Sequence, residues 1–161
     1  MNEGITNVDK EDFALEDLSH TETRSLMPLL KSIADHHNKT SINFKGIYPQ
    51  KSFEELITEI TENIKDGYSK INIARKNDEV IGFCQYSIDE TVGIFNYLVI
   101  LPEYRNLGYG SILMDKALKY FETHQVKKIE IKIVYGNDDA VRFYEKYGFK
   151  IKLQTMTLFK E

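Results

Sequence analysis

Apolar positions along this chain fall into two periods, and the switches between them lay out its elements. Residues Asp12 to Asp17 carry Phe13 and Leu15 on one side, which predicts a short first strand. After a polar break through Ser19, His20 and Thr21, residues Leu26, Leu29, Leu30, Ile33 and Ala34 recur at helical spacing. They predict an amphipathic helix ending near His36, His37 and Asn38. Residues 39–50 are mixed and contain Gly46 and Pro49, which reads as a loop. Ser52 with Glu55 three residues on has the register of a capping box, and opens a second helix with Leu56, Ile57, Ile60 and Ile64 on its apolar face and Gly67 at its end.

A period of two then takes over. Ile71, Ile73 and Ala74 give one strand, Glu79 to Tyr86 its partner across an Asn77-Asp78 turn, and Val92 to Ile100 a third antiparallel strand beyond a turn near Asp89 and Glu90. Pro102 has no N–H to offer a ladder, so the third strand stops there. Ile112, Leu113, Leu118 and Phe121 return to helical spacing from Gly110 to about His124. Ile129, Ile131 and Ile133 alternate with Glu130 and Lys132 as a half-buried strand. A short helix follows, capped by Asn137 and closed by Gly148, and Leu153, Met156, Leu158 and Phe159 predict a last strand.

Composition narrows the class. At 161 residues one domain is expected, with disorder confined to residues 1–10. A formal charge of −4 argues against a nucleic-acid partner bound by counterion release. The single cysteine, Cys84, excludes an intramolecular disulfide, fits a reducing compartment, and beside Ile81, Gly82 and Phe83 reads as a buried strand thiol. No run approaches the length of a bilayer span and no leader of signal-peptide type is seen, so a cytoplasmic protein without a membrane partner is expected.

Two segments carry chemistry. Arg105-Asn106-Leu107-Gly108-Tyr109-Gly110 joins a strand to a helix. A helix start leaves its first N–H groups unpaired and slightly positive, and glycines allow close backbone approach, so this turn suits a pyrophosphate. Asn137, Ala140, Phe143, Tyr144, Gly148 and Phe149 form a second pattern, on the short late helix.

Together the two resemble the GCN5-related N-acetyltransferase (GNAT) superfamily: Arg105, Gly108 and Gly110 match its Q/R-x-x-G-x-G/A acetyl-CoA loop, and the later residues match its N-x-x-A-x-x-F-Y-x-x-x-G-F motif. The resemblance is close over residues 70–151 and only an outline before them. It implies a single α/β (α+β) domain over 1–161, with a central mixed, mostly antiparallel, twisted sheet of about six to seven strands and about four flanking helices. Residues 11–69 would form the variable acceptor side and 70–151 the acetyl-CoA core, the co-substrate entering where two central strands splay. The implied cofactor-binding residues are Leu98, Val99, Ile100, Arg105, Asn106, Leu107, Gly108, Tyr109, Gly110, Ser111, Asn137, Ala140, Phe143 and Tyr144, with no metal.

The implied reaction is acetyl transfer to a primary amine of a small molecule, peptide or protein, by direct attack in a ternary complex. A tyrosine stays protonated at neutral pH, with an ordinary pKa of about 10, and can donate; the resemblance implies that Tyr144, the tyrosine of the F-Y pair, is the general acid that protonates the departing thiolate. The carbonyl would be polarised by backbone amides around Val99 and Ile100, where the strand is expected to bulge.

The general base is left open. Relatives place a glutamate on the strand before the loop, where this chain has Ile94 and Asn96, and ribosomal-type peptide acetylators place one where Lys132 stands. Candidates are His36 and His37, with His37 the chosen one, Glu90, or water held by backbone carbonyls. Phe44, Tyr48 and Tyr97 are candidate linings of an acceptor pocket, and the acids of the second helix (Glu54, Glu55, Glu59, Glu62) favour a cationic acceptor. The alternative is a CoA-binding module without catalysis. A homodimer paired through the last strand is a further expectation.

Overall fold

The computed structural model describes residues 11–161, so the expectation for residues 1–10 lies outside the described residues. The elements run β1 (Phe13–Asp17), α1 (Met27–Thr40), α2 (Phe53–Lys65), β2 (Ser69–Lys76), β3 (Glu79–Asp89), β4 (Val92–Ile100), α3 (Tyr109–Thr123), β5 (Lys128–Ile131) and α4 (Asp138–Glu145). Local chemistry sets their ends. The capping box of α2 is formed, Ser52 Oγ accepting from the Glu55 amide at 3.2 Å and the Glu55 carboxylate from the Ser52 amide at 2.8 Å. Asn77 and Asp78 both take positive φ, 49° and 66°, as a two-residue hairpin turn between β2 and β3 demands.

The strands form one sheet in the order β1-β2-β3-β4-β5, antiparallel except for the parallel pair β4/β5. One face packs on α3 and α4 through Cys84, Tyr86, Phe95, Leu113, Met114, Phe121 and Tyr144. The other packs on α1 and α2 through Leu29, Leu30, Ile57, Ile60, Phe83 and Val99. Cys84 is fully buried, which raises its thiol pKa well above the ordinary value.

A bulge in β4 decides which residues face which helices. Tyr86 pairs with Phe95 and Gln85 with Tyr97, so Asn96 has no partner across the ladder. That one extra residue reverses the alternation. Phe95 lies on the α3 side, whereas Tyr97, Val99 and Leu101 lie on the α1/α2 side.

Two expectations are corrected. The sheet has five strands rather than six or seven, because residues 151–161 take no place in it. Their apolar residues, Leu153, Met156, Leu158 and Phe159, have strand composition, but a strand exists only where a neighbouring edge accepts its hydrogen bonds. The bulge in β4 falls at Asn96 rather than around Val99 and Ile100.

Candidate active site

The parallel ladder between β4 and β5 runs from Val92 opposite Lys128 to Phe95 opposite Ile131 and stops there. β4 continues to Ile100, and among the described residues this stretch pairs only with β3. The result is an opening bordered by the second half of β4. The Leu101 amide donates to Ile81 O at 2.8 Å, toward β3, so strand alternation turns the amides of Ile100 and Leu98 the other way, into the opening. The Val99 side chain is 2% exposed, within the α1/α2 core.

The turn after β4 lies across the end of this opening. A 3₁₀ turn, Pro102–Tyr104, leads to Arg105, Asn106 (φ 61°), Leu107 and Gly108 (φ 94°). Gly108 is the N-cap of α3 in the left-handed region, where a side chain is strained. The first bond into the helix, Ile112 N to Gly108 O at 3.2 Å, leaves the amides of Tyr109, Gly110 and Ser111 as its open donors. The Tyr109 ring turns inward against Phe13 and Tyr104, so only its backbone serves the turn. A Cβ on Gly110 would lie 3.7 Å from the Phe143 ring, which places α4 directly beside the start of α3.

Asn137 caps α4, its Oδ1 accepting from the Ala140 amide at 3.4 Å. The same oxygen lies 3.2 Å from His36 Nε2, while His36 Nδ1 lies 3.5 Å from Arg105 Nη1. Arg105 in turn donates from Nε to Ile100 O at 2.9 Å. One histidine of α1 therefore joins the turn before α3 to the cap of α4. The pattern fits the tautomer protonated on Nε2, whose Nδ1 accepts from the guanidinium. That leaves both ring nitrogens engaged.

Tyr144 is buried among Phe143, Phe149 and the α3 side of the sheet. Burial, followed by the charge of the neighbouring Cys84, raises its pKa well above the ordinary tyrosine value and keeps the hydroxyl protonated. Cys84 is the register partner of Leu98, so Tyr144 lies near the strand that borders the opening.

His37 points elsewhere. It lines a cleft of about 290 Å³ between α1, α2 and β4, together with Ile33, Tyr48, Leu56, Glu59 and Tyr97. Its ring meets Tyr48 edge-on at 5.2 Å. Burial, then the charge of His36, lowers its pKa to about 4. Burial likewise raises Tyr97, and at the rim Lys51 pairs with Glu59. Of the four helix acids only Glu59 reaches this cleft, since Glu54 pairs with Arg24 and Glu55 closes the capping box. Tyr48 and Tyr97 line it; Phe44 instead packs on Phe159. Glu90 occupies the β3–β4 turn, at the other end of β4 from Ile100.

The bridging role of His36 has no signature in the sequence, because its partners Arg105 and Asn137 lie 69 and 101 positions away. Among the described residues no cluster of His, Cys, Asp and Glu has the makings of a metal site, and no helix is long and apolar enough to cross a membrane.

The architecture is shared with solved acetyltransferases. The chain superposes on the PaiA N-acetyltransferase of Thermoplasma acidophilum in complex with coenzyme A (TM-score 0.74, 20% identity, 87% of this chain and 91% of that one). It also superposes on AAC(6')-Iy in complex with the bisubstrate analogue CoA-S-monomethyl-acetylneamine (TM-score 0.70, 14% identity, 92% and 98%) and on a GNAT-family acetyltransferase of Staphylococcus aureus (TM-score 0.70, 18% identity, 87% and 86%). Residues 30–149 match the model of the acetyltransferase (GNAT) family. With the phosphate-type turn, the splayed strands and the capped α4 in place over that span, the chain belongs to the GNAT family of acetyltransferases.

Proposed function

We propose that the chain transfers an acetyl group from acetyl-CoA to a primary amine, by direct attack within a ternary complex. The observation that carries the reading is the meeting of three unlike features at one opening: the free edge of β4, the open amides of α3, and the Asn137–Tyr144 side of α4. Amides of Leu98 and Ile100, with Val99 holding the strand between them, suit an extended, amide-bearing arm. The Arg105–Ser111 turn, with Asn106, Leu107, Gly108, Tyr109 and Gly110 supplying backbone, suits a diphosphate. Asn137, Ala140 and Phe143 border the same arm from α4. Residues 70–151 then act as the acetyl-CoA core and 11–69 as the acceptor side, in a cytoplasmic protein.

In the reaction the amine nitrogen attacks the thioester carbonyl, a C–N bond forms, and the C–S bond breaks with its electron pair on sulfur. Tyr144 delivers a proton to that sulfur and regains one from solvent. The surplus proton on nitrogen leaves to water, with His37 of the cleft between α1, α2 and β4 as the candidate side chain to relay it. AAC(6')-Iy, bound to an analogue joining CoA to acetylneamine, supports an amine as acceptor; a small molecule and a peptide or protein terminus both meet this chemistry.

A CoA-binding module without catalysis is the second reading, favoured by the absence of a carboxylate at Ile94 and Asn96 on β4. Incubation with acetyl-CoA and a panel of amines, with free thiol titrated and binding followed by calorimetry, separates the two. Thiol release dependent on the amine is expected. Binding without release across the panel would support the module, and no binding at all would overturn both.

A further inference from the structure

The cleft beside His37 is built unlike a site for a polycation. Leu30, Ile33 and Leu56 of α1 and α2 line it, with the rings of Tyr48 and Tyr97. From Leu30 to His37 it follows about two turns of α1, roughly 10 Å, and its volume of about 290 Å³ is at the lower end of the roughly 300–1,000 Å³ of small-molecule pockets. Its charges cancel. Glu59 is the acid that lines it, and Lys51 at the rim holds that carboxylate. On the same helix Glu54 is engaged with Arg24, and Glu55 with the Ser52 amide. His37 adds no charge at neutral pH, because burial, then the charge of His36, lowers its pKa to about 4. The cleft shares two elements with the opening. Tyr97 lines it while the next residue of β4, Leu98, borders the opening, and His37 lines it while the preceding residue of α1, His36, reaches Arg105 and Asn137.

We propose that the acceptor of this chain is a compact monoamine with an apolar or aromatic body, seated in this cleft with its nitrogen toward the His37 end; this rests on the reading of the chain as an amine acetyltransferase. Carbon buried against Leu30, Ile33 and Leu56 supplies the binding free energy, and Tyr48 and Tyr97 offer ring faces and edges to an aromatic body. The same lining acts on the nitrogen. Withdrawal from water disfavours an ammonium, so the bound amine is held closer to the neutral form that attacks, as His37 is held neutral beside it. This matters on a strand that carries Ile94 and Asn96 where a carboxylate could have served as base. A polyamine or an aminoglycoside would bring further ammonium groups among the same walls. Lys51 already occupies the Glu59 carboxylate, and a buried charge without a partner is costly. The acids of α2, which along the sequence favour a cationic acceptor, therefore do not create one here.

Steady-state kinetics of thiol release from acetyl-CoA should give kcat/KM at least about tenfold higher for 2-phenylethylamine and hexylamine than for 1,4-diaminobutane, spermidine or kanamycin. Leu56 is only half-buried, so Leu56→Lys should fold, keep its calorimetric affinity for acetyl-CoA, and raise KM for 2-phenylethylamine by about tenfold or more. Lys51→Gln frees Glu59 and should lower KM for 1,4-diaminobutane severalfold, with little change for hexylamine. Release with spermidine or kanamycin as fast as with the apolar amines, or a folded Leu56→Lys protein whose KM for 2-phenylethylamine is unmoved, would overturn the inference and leave acetyl transfer standing. Acetyl-CoA bound with no release from any amine of the panel would instead overturn the transfer reading, and this inference with it.

Discussion

His36 Nε2 lies 3.2 Å from Asn137 Oδ1, linking α1 to the cap of α4. Since the other ring nitrogen faces Arg105, the histidine positions both halves of the proposed acetyl-CoA site rather than acting on the acceptor. Replacing His36 by Ala should cost about 1 kcal/mol of stability and raise KM for acetyl-CoA severalfold, with a smaller change in kcat. Steady-state kinetics at saturating amine separate the two; a large loss in kcat with KM untouched would place His36 in the chemistry instead.

Tyr144→Phe keeps the ring that packs on Phe143 and Phe149 and removes only the hydroxyl. The expected result is a fall in kcat of roughly ten- to a thousand-fold, with little change in acetyl-CoA affinity or thermal stability. An unaltered rate would remove the tyrosine from the role of general acid.

The two glycines of the turn are not equivalent. Gly108 sits at φ 94°, so Gly108→Ala should cost about 1–2 kcal/mol and weaken acetyl-CoA binding. At Gly110 a Cβ meets Phe143 and Ile100 at ordinary contact distances, 3.7 and 3.8 Å. Gly110→Ala should therefore fold with unchanged or higher Tm, helped by helix propensity of up to about 1 kcal/mol. Thermal melts with calorimetric titration test both, and a neutral Gly108→Ala would contradict the strain argument.

His37 links stability to pH. Its folded pKa of about 4 is below the ordinary histidine value, so between the two the unfolded chain binds the extra proton. Stability from this group is complete above about pH 6.5 and declines as pH falls toward 4, by on the order of 1 to 2 kcal/mol once partial exposure is allowed for. Denaturant melts from pH 7.5 to 4.5 should display the slope in the parent and a shallower one in His37→Gln; equal slopes would count against it.

How much of this was readable along the chain depends on the distance over which each feature is decided. The capping box at Ser52 and Glu55, the Asn77-Asp78 turn, the glycine turn at Arg105–Gly110 and the Asn137 cap each rest on residues within a few positions of one another. The backbone chemistry of those few residues fixes them, and two such motifs at their spacing were enough to point to the family.

Residues far apart decided the rest. Whether 151–161 become a strand depends on an edge supplied elsewhere, and the same alternation that makes Ile129 and Ile131 part of the sheet leaves Leu153 in solvent. The bulge at Asn96 arises from its ladder with β3, and it is what turns Tyr97 toward the cleft beside α1 and α2 and Leu98 toward the α3 side. Adjacent histidines with identical chemistry part company because α1 presents His36 to Asn137 and Arg105, and His37 to Tyr48. Hydrogen bonds and burial between segments a hundred residues apart are set by packing, and only the tertiary structure makes that choice.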